Sequence, residues 1–116
     1  MHRTVIFYRT SSGRCPIEEF LDSLPSKVAQ KVLWVVQLVR ELDVVPGQYL
    51  KKLVDTEGLW ECRIAQGGNI YRLFAFFESG DLVVLTHGIM KKTQKTPPGE
   101  IRKAEECRAD WLKRRQ

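Results

Sequence analysis

A chain of 116 residues has room for one domain, and 43% hydrophobic with 28% charged residues is a globular mix that excludes disorder throughout. The formal net charge is +5, and all of it lies in residues 91–116, which hold nine Lys or Arg against four Asp or Glu. Such one-sided charge suits nucleic acid or an acidic protein partner, and a solubilising tail explains it equally well.

The first half of the chain is predicted to form one strand and two helices. Residues 5–8 are β-branched and aromatic, as in a strand, and Pro16 is suited to open a short helix. A second helix begins near Pro25, and its apolar stripe recurs at spacings of 4, 3, 4 and 3. The stripe consists of Val28, Val32, Val35, Val39 and Leu42.

The second half is predicted to be a meander of strands followed by a helix. Three apolar runs separated by tight turns are the strands, at residues 59–64, 70–77 and 82–89. Tight turns between consecutive strands predict an antiparallel sheet. Thr96 is placed to cap a last helix, with Pro97 in its first turn. The order predicts a single α+β domain over residues 1–116, an antiparallel sheet of four to five strands with N-terminal helices and a C-terminal helix packed on one face.

Alternation along the strands places charged side chains among apolar ones. Arg72 shares a strand face with Phe74 and Phe76, and Glu61 shares one with Arg63. An Arg in such surroundings is costly to desolvate unless it meets an anion or a carboxylate. Arg72 is therefore expected either to pair with Glu61 across the strands or to bind phosphate in a groove on the sheet.

A lysine-rich segment follows the third strand of the meander. Three lysines lie between this strand and the last helix: Lys91, Lys92 and Lys95. They form a candidate phosphate site beside a helix N-terminus, or else a solvated basic loop. Lys51 and Lys52, before the first meander strand, belong to the same patch or lie elsewhere. His87 near the strand end is a candidate acid or base, or a structural histidine.

The cysteines argue against stabilisation by disulfides or zinc. The chain has three cysteines, an odd number, and no two of them have C-x-x-C spacing; they are Cys15, Cys62 and Cys107. The N-terminus lacks a signal-peptide pattern, and no apolar stretch approaches the roughly 20 residues of a membrane span. We expect a cytoplasmic protein that uses no metal or cofactor and does not associate with a membrane.

Several short motifs are spread over residues 5 to about 108. They are Phe7-Tyr8, PIEEFLDSL from residue 16, GLWECR from residue 58, Tyr71-Arg72, His87-Gly88 and KKTQKTP from residue 91. Together they resemble the phage-derived HigB-like branch of the RelE superfamily. Cys62 stands where that family usually has Leu, and Ile89 where Phe is common. Both substitutes are apolar, which keeps the core plausible.

The resemblance implies the toxin of a type II toxin–antitoxin system, inhibited by a cognate antitoxin protein. Such toxins are endoribonucleases that cleave mRNA, often on the ribosome, and so inhibit translation. As a hypothesis, an RNA 2′-OH attacks the adjacent phosphate, and fixed cations stabilise the charge that develops. Arg63 and Arg72 fit that role, because Arg is planar, always charged and able to form two bonds to phosphate.

The general base of this reaction has several candidates. The catalytic set is expected among Arg72, Arg63, Lys91, Lys92, His87 and Glu61, with RNA binding by Lys51, Lys52 and Lys95. The base is His87, Glu61 or a desolvated lysine of the segment after the third strand.

Two rivals belong to other functional classes. One is a non-catalytic basic module that binds nucleic acid or an acidic protein, as would a toxin that has lost catalysis. The other is a structural domain whose basic C-terminal helix mediates self-association. The presence of Arg63, Arg72 and the lysine segment together favours the enzyme.

Overall fold

The computed structural model describes residues 2–91 and 95–115, which form three helices and a five-stranded sheet. In chain order the elements are β1 (Thr4–Phe7), α1 (Pro16–Asp22), α2 (Ser26–Glu41), β2 (Leu50–Lys52), β3 (Leu59–Gln66), β4 (Asn69–Glu78), β5 (Leu82–Lys91) and α3 (Pro98–Arg114). The strand order in the sheet is β1-β5-β4-β3-β2. The α+β class and the strand number are confirmed.

The sheet is mixed rather than purely antiparallel. The strands from β2 to β5 pair antiparallel with their neighbours, as short turns require, whereas β1 lies parallel to β5. No hairpin joins β1 to β5 in the chain, because two helices and three strands intervene. The direction of β1 is therefore set by tertiary packing, which is why the sequence did not predict it.

The helices cover both faces of the sheet, so the expectation that they share one face is wrong. α1 and α2 pack against Ile64, Leu73 and their neighbours, and the four valines of the α2 stripe are buried as predicted. Leu42 of that stripe lies beyond the helix end and is exposed. α3 packs on the opposite face, against Phe74 and Phe76. The central strand β4 is apolar on both sides, which explains why both faces need a cover.

A bulge in β5 changes which face its side chains point to. Leu85 pairs with Ala75, and Gly88 pairs with Leu73, so two residues of β5 stand opposite Phe74. One of these two is His87, whose ring stacks on Phe74 on the α3 side of the sheet.

Among the described residues, no helix combines the length and the apolar composition that crossing a membrane would require.

Candidate nucleic-acid interface

A pocket of about 440 Å³ opens on the α3 side of the sheet. Its wall combines strand residues of β2, β3 and β4 with the segment that leads into α3. Five cations line it: Lys51, Lys52, Arg63, Arg72 and Lys95. Two carboxylates, those of Asp55 and Glu61, also line it, so the pocket carries an excess of positive charge. A concave, positively charged surface suits a phosphate-bearing ligand.

The strand register brings the charged residues of the sheet to this pocket. Arg63 stands directly opposite Arg72 in the β3–β4 pair, and Lys51 stands opposite Glu61 in the β2–β3 pair. Directly opposed residues of neighbouring strands share a face. Three consecutive strands therefore contribute charge to one side of the sheet.

Glu61 lies between two arginines at the base of the pocket. Arg72 Nη1 is 3.3 Å from Glu61 Oε2, and Arg63 Nε is 3.5 Å from Glu61 Oε1. Arg72 and Glu61 are only 1% and 2% exposed, whereas the side chain of Arg63 is 21% exposed. Arg72 forms the ion pair with Glu61 that the first interpretation predicted, and it also lines the pocket. Arg63 is the arginine that a ligand reaches more easily.

Thr96 does not cap the last helix as the sequence predicted. α3 begins one residue later than expected, with Pro97 at its N-cap, and no side-chain hydrogen bond from the described residues caps it. The Thr96 hydroxyl instead accepts a hydrogen bond from Arg72 Nη1 at 2.8 Å and donates one to Glu61 Oε2 at 3.3 Å. Thr96 therefore belongs to the charged cluster of the pocket.

His87 lies outside the pocket lining. It is 2% exposed, its ring is 4.7 Å from that of Phe74, and its Nε2 is 3.1 Å from Glu100 Oε1 at the start of α3. Burial lowers the pKa of His87 below its ordinary value, an effect that Glu100 opposes and Lys103 reinforces. His87 thus links β5 to α3 through Glu100, and it is not part of the pocket.

The lysines of the segment after the third meander strand occupy different places relative to the pocket. Lys95 lines the pocket, whereas Lys91 does not, and Lys91 Nζ donates a hydrogen bond to the carbonyl oxygen of Lys95 at 3.3 Å. Lys92, predicted as catalytic, lies outside the described residues. Within residues 2–91 and 95–115, no group of three or more His, Cys, Asp or Glu is arranged to hold a metal ion.

Comparison with known proteins assigns the chain to a family. The family described as "Phage derived protein Gp49-like (DUF891)" matches residues 19–109. The chain belongs to this family. A chain of the archaeal RelE-RelB complex from Pyrococcus horikoshii OT3 is similar in structure, with a TM-score of 0.52 and 20% sequence identity. The similarity covers 82% of this Gp49-like chain and all of that chain, and it shows a shared RelE-like fold. No curated protein gives a significant match.

Sequence reasoning missed the apolar wall of the pocket in this Gp49-like protein. Leu53 and Val54, after β2, and Pro98 and Ile101, in the first turn of α3, complete the lining. The spacing of Pro98 and Ile101 could have indicated one helix face, since residues three apart are neighbours on a helix surface. Nothing in the sequence placed that face against β2 and β3.

Proposed function

We propose that this Gp49-like protein is the toxin of a type II toxin–antitoxin system and acts as an endoribonuclease on mRNA. The observation that carries this is the convergence of five cations, spread along the chain from residue 51 to residue 95, on one pocket. Such a charged pocket suits single-stranded RNA. Its phosphates can bind the cations, and its bases are free to unstack because they are not held in a duplex. The RelE-like fold and the Gp49-like family add support.

In the proposed reaction, the RNA 2′-OH attacks the adjacent phosphorus in line. A general base removes the 2′-OH proton, and the bond from phosphorus to the 5′-oxygen breaks. The 5′-oxygen takes a proton from a general acid or from water, and a 2′,3′-cyclic phosphate forms. Negative charge develops on the phosphoryl oxygens, and a cation already fixed nearby stabilises it without reorganisation. Arg63 is assigned this role, because it is the more exposed arginine and its Nε lies against Glu61.

The remaining groups have supporting roles. Arg72 is a positioning residue in this scheme, because it holds Glu61, which in turn orients Arg63. Lys51 and Lys52 bind the neighbouring phosphates. Of the candidates for general base, Glu61 and Lys95 line the pocket. A general base must be deprotonated to act, so its ionisation produces the acidic limb of the pH–rate profile. Loss of that limb in Glu61→Gln or in Lys95→Ala identifies which of the two takes the 2′-OH proton.

The test is inducible expression of wild type and Arg63→Ala, followed by growth measurement and mapping of RNA 5′ ends. Losing a fixed charge at a developing oxyanion costs about 10²–10³ in rate, so Arg63→Ala should relieve growth arrest. Arg14→Ala is the matched control, since Arg14 is an exposed arginine paired with Glu19 at 2.7 Å and is not part of the pocket. A wild type that arrests growth without new RNA ends, or a fully active Arg63→Ala, refutes the assignment.

The proposed function includes a cognate antitoxin in the cytoplasm. The structural neighbour belongs to a complex of RelE with RelB, which supports a protein partner for this chain as well. An acidic antitoxin segment that covers the five-cation pocket would compete with RNA for the same charges. Antitoxin affinity should then fall with salt, and RNA and antitoxin should exclude each other in a titration.

A second candidate is a basic module that binds RNA or an acidic protein without catalysis. The observation that favours it is the burial of Arg72 and Glu61 as a mutual pair, together with the position of His87 outside the pocket. Three predicted catalytic groups would then be structural. This candidate predicts salt-dependent RNA binding with the RNA recovered intact.

A further inference from the structure

We infer that Thr96 is a positioning residue, which holds Lys95 at the pocket by tying the segment before α3 to the buried Arg72–Glu61 pair. This inference rests on the proposed function, because it assigns to Lys95 a phosphate of bound RNA. Lys95 and Thr96 both line the pocket, and Thr96 lies in the chain between Lys95 and Pro97, the N-cap residue of α3.

The contacts of the Thr96 hydroxyl are the first support for this role. Its 2.8 Å bond from Arg72 Nη1 is shorter than the direct approach of that nitrogen to Glu61, which is 3.3 Å to Oε2 and 3.4 Å to Oε1. Charge-assisted hydrogen bonds of this kind are commonly about 2.7–2.9 Å long. The hydroxyl thus makes a close contact to the guanidinium and also donates to the carboxylate. Three side chains from β3, β4 and the entry to α3 form one polar cluster, in which Arg72 and Glu61 are buried and Thr96 is partly buried.

The contacts of Thr96 also restrict the backbone of the residues before and after it. Pro97 has φ of −65° and Pro98 opens α3, so two proline rings restrict the chain on the helix side. On the other side, the Cα atom of Lys95 is one trans peptide, about 3.8 Å, from that of Thr96. A fixed Thr96 therefore limits the positions that the Cα atom of Lys95, and with it the lysine side chain, can take. Preorganisation of this kind reduces the ordering cost when a cation binds its ligand.

Valine tests the hydroxyl while keeping the branched shape of threonine. Thr96→Val removes both hydrogen bonds, and Thr96→Ser keeps them with a smaller side chain. Thr10→Val is a matched control, because the Thr10 hydroxyl also has two partners, the Ser12 hydroxyl at 3.0 Å and the amide of Arg14 at 3.1 Å. Thr10 precedes α1 and is not part of the pocket.

The first measurement is the salt dependence of binding to a short single-stranded RNA made non-cleavable by 2′-deoxy substitution. Loss of one phosphate contact lowers the log–log slope by about 0.7 for a single strand. We expect Thr96→Val to show that loss, and Thr96→Ser and Thr10→Val to retain the wild-type slope. Lys95→Ala should lower the slope in the wild-type background and add nothing in the Thr96→Val background, because both changes remove the same contact.

The second measurement does not depend on RNA. Backbone ¹⁵N relaxation of Lys95 should report more motion in Thr96→Val than in wild type, Thr96→Ser or Thr10→Val. Unchanged relaxation at Lys95 in Thr96→Val overturns the inference whether or not RNA binds. An equal effect of Lys95→Ala in both backgrounds also overturns it. If the wild type itself shows no salt-dependent RNA binding, the proposed function fails, and with it the role of Lys95 in the inference.

Discussion

Replacing Arg72 by methionine should lower the free energy of unfolding of the domain. Arg72 is 1% exposed, and its Nη1 lies 3.3 Å from an oxygen of Glu61, which is 2% exposed. Arg72→Met keeps the apolar part of the side chain and removes the guanidinium, which leaves a buried carboxylate with one fewer partner. Removing one member of a buried ion pair costs about 3–5 kcal/mol. Because Arg63 remains 3.5 Å from Glu61, we expect the lower end, about 3 kcal/mol.

A loss of this size is a large fraction of the stability of a small domain, which is typically about 5–15 kcal/mol. For a chain of this length it corresponds to a decrease in melting temperature of roughly 12 °C. Urea and thermal unfolding, followed by circular dichroism at pH 7, measure both quantities. The double variant Arg72→Met/Glu61→Leu should recover most of the loss, since a well-packed apolar replacement of a buried pair is often neutral or stabilising.

The reasoning is refuted by an Arg72→Met protein that unfolds at the wild-type midpoint but has lost RNA cleavage. Arg72 would then act directly on the ligand, and its pairing with Glu61 would contribute little to folding. A double variant as unstable as Arg72→Met would also contradict it, because the cost would not come from the uncompensated carboxylate.

Three further predictions concern the pocket, the buried histidine and the bulged strand. Replacing Lys51 and Lys52 together by alanine should lower the log–log salt slope of RNA binding by about 1.4, or 0.7 for each phosphate contact; an unchanged slope would place both lysines outside the RNA contact. Burial lowers the pKa of His87, so the unfolded chain binds this proton at a higher pH than the folded one. The free energy of unfolding should therefore fall as pH decreases from 7 through about 6.5 and below, and His87→Gln should flatten that fall in urea titrations between pH 7 and 5.5. At Gly88 an added Cβ would lie 2.4 Å from Cδ2 of Phe20, so Gly88→Ala should cost about 1–3 kcal/mol in unfolding experiments. Combining it with Phe20→Leu should recover part of that cost, and a neutral Gly88→Ala would contradict the close approach.

The elements that hydrophobic period and turn residues specify were predicted well. The valine stripe of α2 and the strands over residues 59–64, 70–77 and 82–89 are present, and β4 is central in the sheet as its apolar sequence indicates. The bulge opposite Phe74 was not predicted, because alternation assumes one residue opposite one. That single irregularity determines that the His87 ring stacks on the α3 side of the sheet.

For the site, the sequence predicted the kinds of residues, and the fold determined which of them meet. Charge patterning identified Lys51, Lys52 and Lys95, and the tertiary structure brought them to one pocket. The same charge patterning could not separate Lys95, which lines the pocket, from Lys91, which does not. The sequence of a lysine-rich segment does not determine where its side chains point. That is decided by the sheet and the helix that hold its backbone.

What the sequence by itself determined about this protein is local: the periods of its helices and strands, its turns, and the excess of positive charge after residue 90. Each of these depends on residues close together in the chain, so each can be recognised without knowing the fold. The parallel placement of β1, the helix on each face, and the pairing of Arg72 with Glu61 and Thr96 were decided only by the tertiary structure. They depend on which segments, distant in sequence, pack together and bury apolar surface. The role of a buried charged residue depends on the partner with which it is paired in that packing.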